Sequence, residues 1–200
     1  MANKSWLSEV ELQGKSVTLK PLRREHSKEI ENASLDGELW NLWFTNVPKK
    51  EEVDAYIDFA LSEQLAGRSL SFVVVNNDTQ KIIGTTRFCN ADYLNQRLEI
   101  GYTWYAKSYQ RTSVNTECKL LLLTHAFECL SSIAVEFRTH WHNQASRNAI
   151  ARLGAKQDGI LRNHQKLVDG SYRDTVVFSI TNNEWLAVKN SLSFKLAKYS

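Results

Sequence analysis

Only two prolines, Pro21 and Pro48, occur in 200 residues, and both fall where a regular element begins or ends. No Pro/Gly/Ser-rich tract, low-complexity segment or internal repeat divides the chain. It therefore reads as a single domain over 1–200, long enough to bury one core without staples. Cysteine is scarce: Cys89, Cys118 and Cys129 have no CxxC spacing, and two lie within a helical pattern. Buried, reduced thiols in a cytoplasmic compartment are expected. Apolar runs such as Leu120–Leu123 are far too short to span a bilayer, and the opening MANKSWLSEVELQGK has no signal-peptide core. Charge is nearly balanced, with a formal net of +3 and no basic stripe. That favours a small anionic ligand and argues against nucleic acid. The motifs GxGxxG, GxxxxGK[ST], GxSxG and HExxH are all missing, which removes support for dinucleotide, P-loop, elbow-serine and zincin chemistry.

What is present is a regular alternation of elements. Strands are expected at 16–22, 70–76, 81–88, 98–105, 134–140, 156–167 and 172–181, from period-two patterns and β-branched content. The last two form a hairpin around Asp169-Gly170. Helices are expected at 25–33, 51–66, 114–130, 143–153 and 183–196, the one at 114–130 apolar on nearly every side. The order β-α-α-β-β-β-α-β-α-β-β-α contains a βαβ unit beside an antiparallel meander. An α/β (α+β) domain with a mixed central sheet and helices on both faces follows.

Three segments can carry chemistry. In the first, YAKSYQRTSVNTE (105–117), a strand leads through a polar loop into the buried helix. Unpaired N–H groups and the helix dipole there suit a pyrophosphate, with Lys107 and Arg111 adding charge; an ordinary cap by Thr112 or Ser113 is the simpler alternative. In the second, Asn143 can cap the helix after the strand at 134–140, and Ser146 lies one turn on. The third is Glu99, alone among Leu98, Ile100 and Gly101. Alternation puts its carboxylate on the face opposite Leu98 and Ile100, solvent-exposed in the simplest reading and a general base in the sharper one.

Together the stretches IIGTTRF, LEIGYTWY, YQRTSVNTECKLLLLTHAFE, HNQASRNAIARLGAKQDGILR and DGSYRDTVVFSIT resemble the GNAT superfamily of N-acetyltransferases, and within it the RimJ/RimL-like branch. The resemblance implies splayed central parallel strands, with the pantetheine arm of acetyl-CoA lying along Thr103, Trp104 and Tyr105. It maps the family's pyrophosphate loop, Q/R-x-x-G-x-G/A, onto Gln110, Arg111, Thr112, Ser113, Val114 and Asn115. Ser113 and Asn115 depart from that pattern, and a serine has less freedom than glycine at positive φ. The resemblance further casts Glu99 as general base, Asn143 as a contact to the pantetheine arm and Ser146 as proton donor to the departing thiolate. It implies no metal and a direct transfer without a covalent enzyme intermediate.

The acceptor is expected to be a primary amine, either a protein N-terminus or a small aminoacyl or antibiotic-like amine. An α-amine is roughly 10% neutral at pH 7, far more than a lysine side chain. Arg87 is a candidate to hold an acidic group of the acceptor, and Trp40, Trp43 and Phe44 to stack on it. His140-x-His142 has no evident third metal ligand. A homodimer is expected from fold analogy, with the hairpin at 164–180 as its interface. The competing reading is a CoA- or substrate-binding module of the same fold with little turnover, suggested by Ser113 and Asn115.

Overall fold

The computed structural model describes residues 6–198. Eight strands form one sheet: β1 (Leu12–Gln13), β2 (Val17–Pro21), β3 (Leu70–Asn76), β4 (Ile82–Asp92), β5 (Arg97–Tyr105), β6 (Ala134–His140), β7 (Lys156–Lys166) and β8 (Tyr172–Thr181). Their order is β1-β2-β3-β4-β5-β6-β8-β7, and β5 and β6 are the parallel pair among antiparallel neighbours. Five helices complete the domain: α1 (Ser27–Leu35), α2 (Val53–Leu65), α3 (Val114–Thr124), α4 (Gln144–Leu153) and α5 (Asn182–Ala197). A π-turn, His125–Cys129, prolongs α3. The short β1 has no counterpart in the sequence expectation, and β4 runs four residues beyond the expected 88.

Two cores sandwich the sheet. Leu98, Ile100, Val135, Phe137, Val176 and Phe178 pack against Cys118, Leu122 and Leu123 of α3, Ile150 of α4 and Trp185 of α5. On the other face Val73, Val75, Ile82 and Trp104 pack against Ile30 of α1 and Val53, Ile57 and Ala60 of α2. Because both faces of β3 are covered, its seven residues are all buried, and Phe72 to Val75 form a continuous apolar run rather than an alternating one. No helix among the described residues is long and apolar enough to cross a membrane.

Two irregularities in β5 shape the centre of the sheet. Its ladder with β6 stops after three pairs, Arg97↔Ala134, Leu98↔Val135 and Glu99↔Glu136. Beyond Glu99 the two strands diverge, as the splayed architecture requires. Against β4, Thr85 faces Trp104 and Arg87 faces Gly101, so Tyr102 and Thr103 oppose Thr86 alone. Tyr102 absorbs this bulge at φ +50°.

Candidate active site

The divergence leaves two strand edges facing each other, with backbone donors and acceptors that no neighbouring strand pairs. A cleft of about 1000 Å³ opens from this wedge and is lined by Glu99 to Tyr105, Gln110, Arg111, Asn115, Arg138 to His140, Asn143 and Ser146. It joins both sides of the sheet. The start of α3 and the start of α4 border one end, and the polar face of β5, β6 and β8 borders the other.

At the α3 end, Thr112 Oγ1 accepts the Val114 N–H at 3.3 Å and donates to the Tyr109 carbonyl at 2.7 Å. Ser113 is right-handed helical (φ −67°, ψ −19°) and makes no side-chain cap. The positive φ of this loop falls on Arg111, at +60°. The expectation that Ser113 is constrained at positive φ is thereby corrected: its own backbone is one that any residue adopts. Of the loop residues, Gln110, Arg111 and Asn115 line the cleft, whereas Thr112, Ser113 and Val114 stand behind them. Glu117, one turn on, accepts from the Lys15 and Ser16 amides and the Ser16 hydroxyl, which ties the first turn of α3 to the segment before β2. A side chain at Gly14 would collide with that carboxylate. At α4, Asn143 Oδ1 accepts the Ser146 N–H at 3.0 Å, so it caps the helix while its side chain borders the cleft.

Glu99 is 8% exposed, which corrects the simpler solvent-facing reading. Asn90 Nδ2 donates to its Oε2 at 2.7 Å, and Arg138 Nε lies 3.6 Å from the same oxygen. Arg138 is shared with Glu136, at 2.9 Å, and Arg97 also takes Glu136, at 2.7 Å. Burial outweighs these partners and holds the Glu99 carboxyl above its usual range. A raised pKa makes the carboxylate a stronger proton acceptor than an exposed glutamate.

The sheet pairings place Glu99 in a polar stripe. Cys89 faces Glu99, Glu99 flanks Glu136, and across β6 and β8 Glu136 faces Ser179, Arg138 faces Val177 and His140 faces Thr175. Arg173, two residues from Thr175, extends the stripe, with Nε donating to Thr175 Oγ1 at 3.0 Å. On the opposite side of the wedge Lys119 of α3 is 5% exposed and donates to Thr103 Oγ1 at 2.6 Å. Burial pulls its ammonium down to about 8. Asn90, Arg138, Arg173 and Lys119 were not singled out in the sequence. Only the recurrence of polar residues at 173, 175 and 179 on one strand face signals any of them.

The four acceptor candidates fare unequally. Arg87 is 1% exposed and does not line the cleft; its guanidinium lies over the rings of Tyr102, Tyr56 and Phe59, at 4.0, 5.2 and 5.6 Å. Trp40 also lies outside the lining, whereas Phe44 belongs to it. Trp43 stands at the rim with its ring 4.7 Å from that of His140. Cys89 and Cys118 are buried and their thiols shifted up, Cys118 to about 12. Cys129 is exposed, contrary to the expectation of three buried thiols, because it sits on the outward side of the π-turn. Among the described residues no group of three or more His, Cys, Asp or Glu could hold a metal.

Known proteins share this fold. The chain is 26% identical over 126 residues to the [ribosomal protein uS5]-alanine N-acetyltransferase of Escherichia coli K12, covering 60% of this chain and 61% of that enzyme. It is 21% identical over 174 residues to the spermidine N(1)-acetyltransferase of the same strain, covering 86% and 89%. The crystal structure of a GCN5-related N-acetyltransferase from Brucella melitensis superposes with a TM-score of 0.85 at 27% identity, covering 96% of this chain and 89% of that one. The profile of the acetyltransferase (GNAT) domain matches residues 16–156, so the chain belongs to the GNAT acetyltransferase family.

Proposed function

We propose that this acetyltransferase moves the acetyl group of acetyl-CoA to an α-amine, with Glu99 as general base. The observation that carries the reading is the wedge: the β5–β6 ladder ends at the buried carboxylate that the chemistry needs. The residues present fit the donor. The open edge of β5 from Gly101 to Tyr105 offers backbone partners to an extended amide-bearing arm, and the α3 N-terminus with Arg111 offers N–H groups and charge to phosphates. Bound there, acetyl-CoA supplies an acetyl group activated as a thioester, and the remaining tasks fall to the chain. Glu99 takes a proton from the acceptor ammonium, an unpaired N–H of the β5 edge near Tyr105 supports the developing oxyanion, and Ser146 returns a proton to the departing sulfur. The two named relatives act on an alanine of ribosomal protein uS5 and on spermidine, and an α-amine suits a carboxylate base better because its pKa is lower. A cytoplasmic homodimer joined through the exposed β7–β8 hairpin completes the proposal, and sedimentation checks its stoichiometry.

Calorimetric titration with acetyl-CoA, ATP as control, followed by thiol-release assays on α-amine and lysine-side-chain acceptors, tests the reading. Micromolar binding of acetyl-CoA and preferential turnover of the α-amines are expected; turnover of the lysine amines alone overturns it. Ser146→Ala is expected to lower kcat by about tenfold or more with donor affinity unchanged. An unaltered kcat removes the serine from the proton path.

A further inference from the structure

The charges around Glu99 say which amines the cleft admits. Glu99 is the one carboxylate lining the cleft among the described residues, against Arg111, Lys119, Arg138, Arg152 and Arg173. Arg111 and Arg152 lie on the α3 and α4 side, Lys119 is buried beneath the bulge, and Arg138 is occupied by Glu136 and Glu99. Arg173 is different. It is half-buried, its side-chain hydrogen bond runs through Nε to Thr175, and no carboxylate among the described residues forms an ion pair with it. Thr175, to which it donates, is the residue opposite His140 in the β6–β8 ladder, and Arg173, His140 and Glu99 all line the same cleft.

His140 supplies an independent sign of a missing partner. It is 3% exposed and lines the cleft, and its Nδ1 accepts the His142 N–H at 3.1 Å. The neutral ring therefore carries its proton on Nε2, and that buried atom has no hydrogen-bond partner. A buried donor left unpaired costs roughly as much as a lost hydrogen bond, and a half-buried guanidinium without an acid is equally unsatisfied. Both deficits sit on the face that carries the base, beside the aromatic rim of Trp43 and Phe44.

We infer that the acceptor is a small amine bearing a carboxylate close to its nitrogen, as in a free α-amino acid, with the ammonium on Glu99 and the carboxylate on Arg173 and His140 Nε2–H. The fork of an arginine matches a carboxylate in two parallel hydrogen bonds, and the opposite charges of Glu99 and Arg173 mirror those of a zwitterion. A polyamine finds the reverse of what it needs here, because beyond Glu99 every charged group of the cleft repels it. A peptide N-terminus reaches Glu99 but has only an amide to offer Arg173. This assignment rests on the acetyl-transfer reading above and narrows its acceptor.

Steady-state rates with acetyl-CoA and matched acceptors test it: phenylalanine against phenylalaninamide, leucine against leucinamide, with spermidine and an alanine-initiated peptide alongside. The free acids are expected to exceed their amides by about tenfold or more in kcat/KM, the discrimination of one well-placed charged contact. Arg173→Met should erase that preference by raising KM for the acids while the amides are little affected, and Arg173→Lys should restore part of it. Thermal melts of both variants confirm folding. Turnover of amides, peptide or spermidine at least as fast as the acids overturns the carboxylate assignment and leaves acetyl transfer standing. Binding of acetyl-CoA with no turnover of any amine overturns both.

Discussion

Two buried charges on either side of β5 decide most of what single residues do. Glu99 is held above its usual range by burial, so the fold penalises its ionised form. Its stability contribution is full at low pH and falls as pH climbs through the raised pKa. Glu99→Gln keeps the Asn90 contact, removes that penalty, and should melt higher than the parent at pH 8 while converging with it near pH 4. The same change should cut kcat/KM by about a hundredfold or more and abolish the acid limb that belongs to the carboxylate. A variant with the parental pH–rate profile shows that another group is the base. Lys119 has the opposite sign: its folded pKa of about 8 lies below the ordinary value, so its cost is present at pH 7 and fades between 8 and 10.5. Lys119→Met should raise stability by up to ~3 kcal/mol at pH 7 and by much less at pH 10, measured by urea unfolding. Lower stability at pH 7 would mean that its hydrogen bonds to Thr103 and Thr86 outweigh the burial of charge. The sequence exposed Glu99, a lone acid in an apolar strand, but it hid Lys119 in a helix where lysine is common and charge pairing is invisible.

At the level of elements, most of the fold was legible because periodicity reports burial, and the sheet buries both faces of its centre. The bulge in β5 was not. Strict alternation along LEIGYTWY puts Thr103 and Tyr105 on the face of Glu99, but the extra residue at Tyr102 reverses the parity. Trp104 therefore joins the α1–α2 core, and Thr103 turns toward Lys119 of α3. Glycine marks the place: a side chain at Gly84 would run into the Trp104 carbonyl, so β4 approaches the bulged strand more closely than a Cβ permits. The pyrophosphate loop gives the same lesson in reverse. The motif suggests strain at Ser113, whereas the backbone places the left-handed residue two positions earlier, at Arg111. Ser113→Gly should then leave the acetyl-CoA Kd within about threefold, since Ser113 makes no side-chain cap to lose and its backbone is one that either residue adopts. A tenfold tighter Kd by calorimetry would show that the loop adopts positive φ at 113 when the donor binds.

Across the whole molecule, the wedge divides labour between the two faces of one sheet. In the proposed reading the donor end is built by helix N-termini on the α3–α4 side and the acceptor end by the polar stripe of β5, β6 and β8, with Glu99 where they meet. Such a layout leaves strand edges open at the centre of the sheet, a place where most proteins pair them. The open edges have a direct signature in amide hydrogen exchange. Without donor, amides of Gly101–Tyr105 and Phe137–His140 that face the gap should exchange faster than the paired amides of β3, despite lying equally deep in the sequence order of strands. With acetyl-CoA at about 100 times its Kd, the folded state gains about 2.7 kcal/mol, and the melting temperature should rise by roughly 5–10 °C. Protection should then appear at the β5 edge and at the start of α3, while the exposed edge strand β7 exchanges as before. Protection spread evenly over the sheet would signify global stabilisation alone. Protection confined to α3, with the β5 edge unchanged, would mean that the arm of the donor does not add to the sheet, and the wedge would need another occupant.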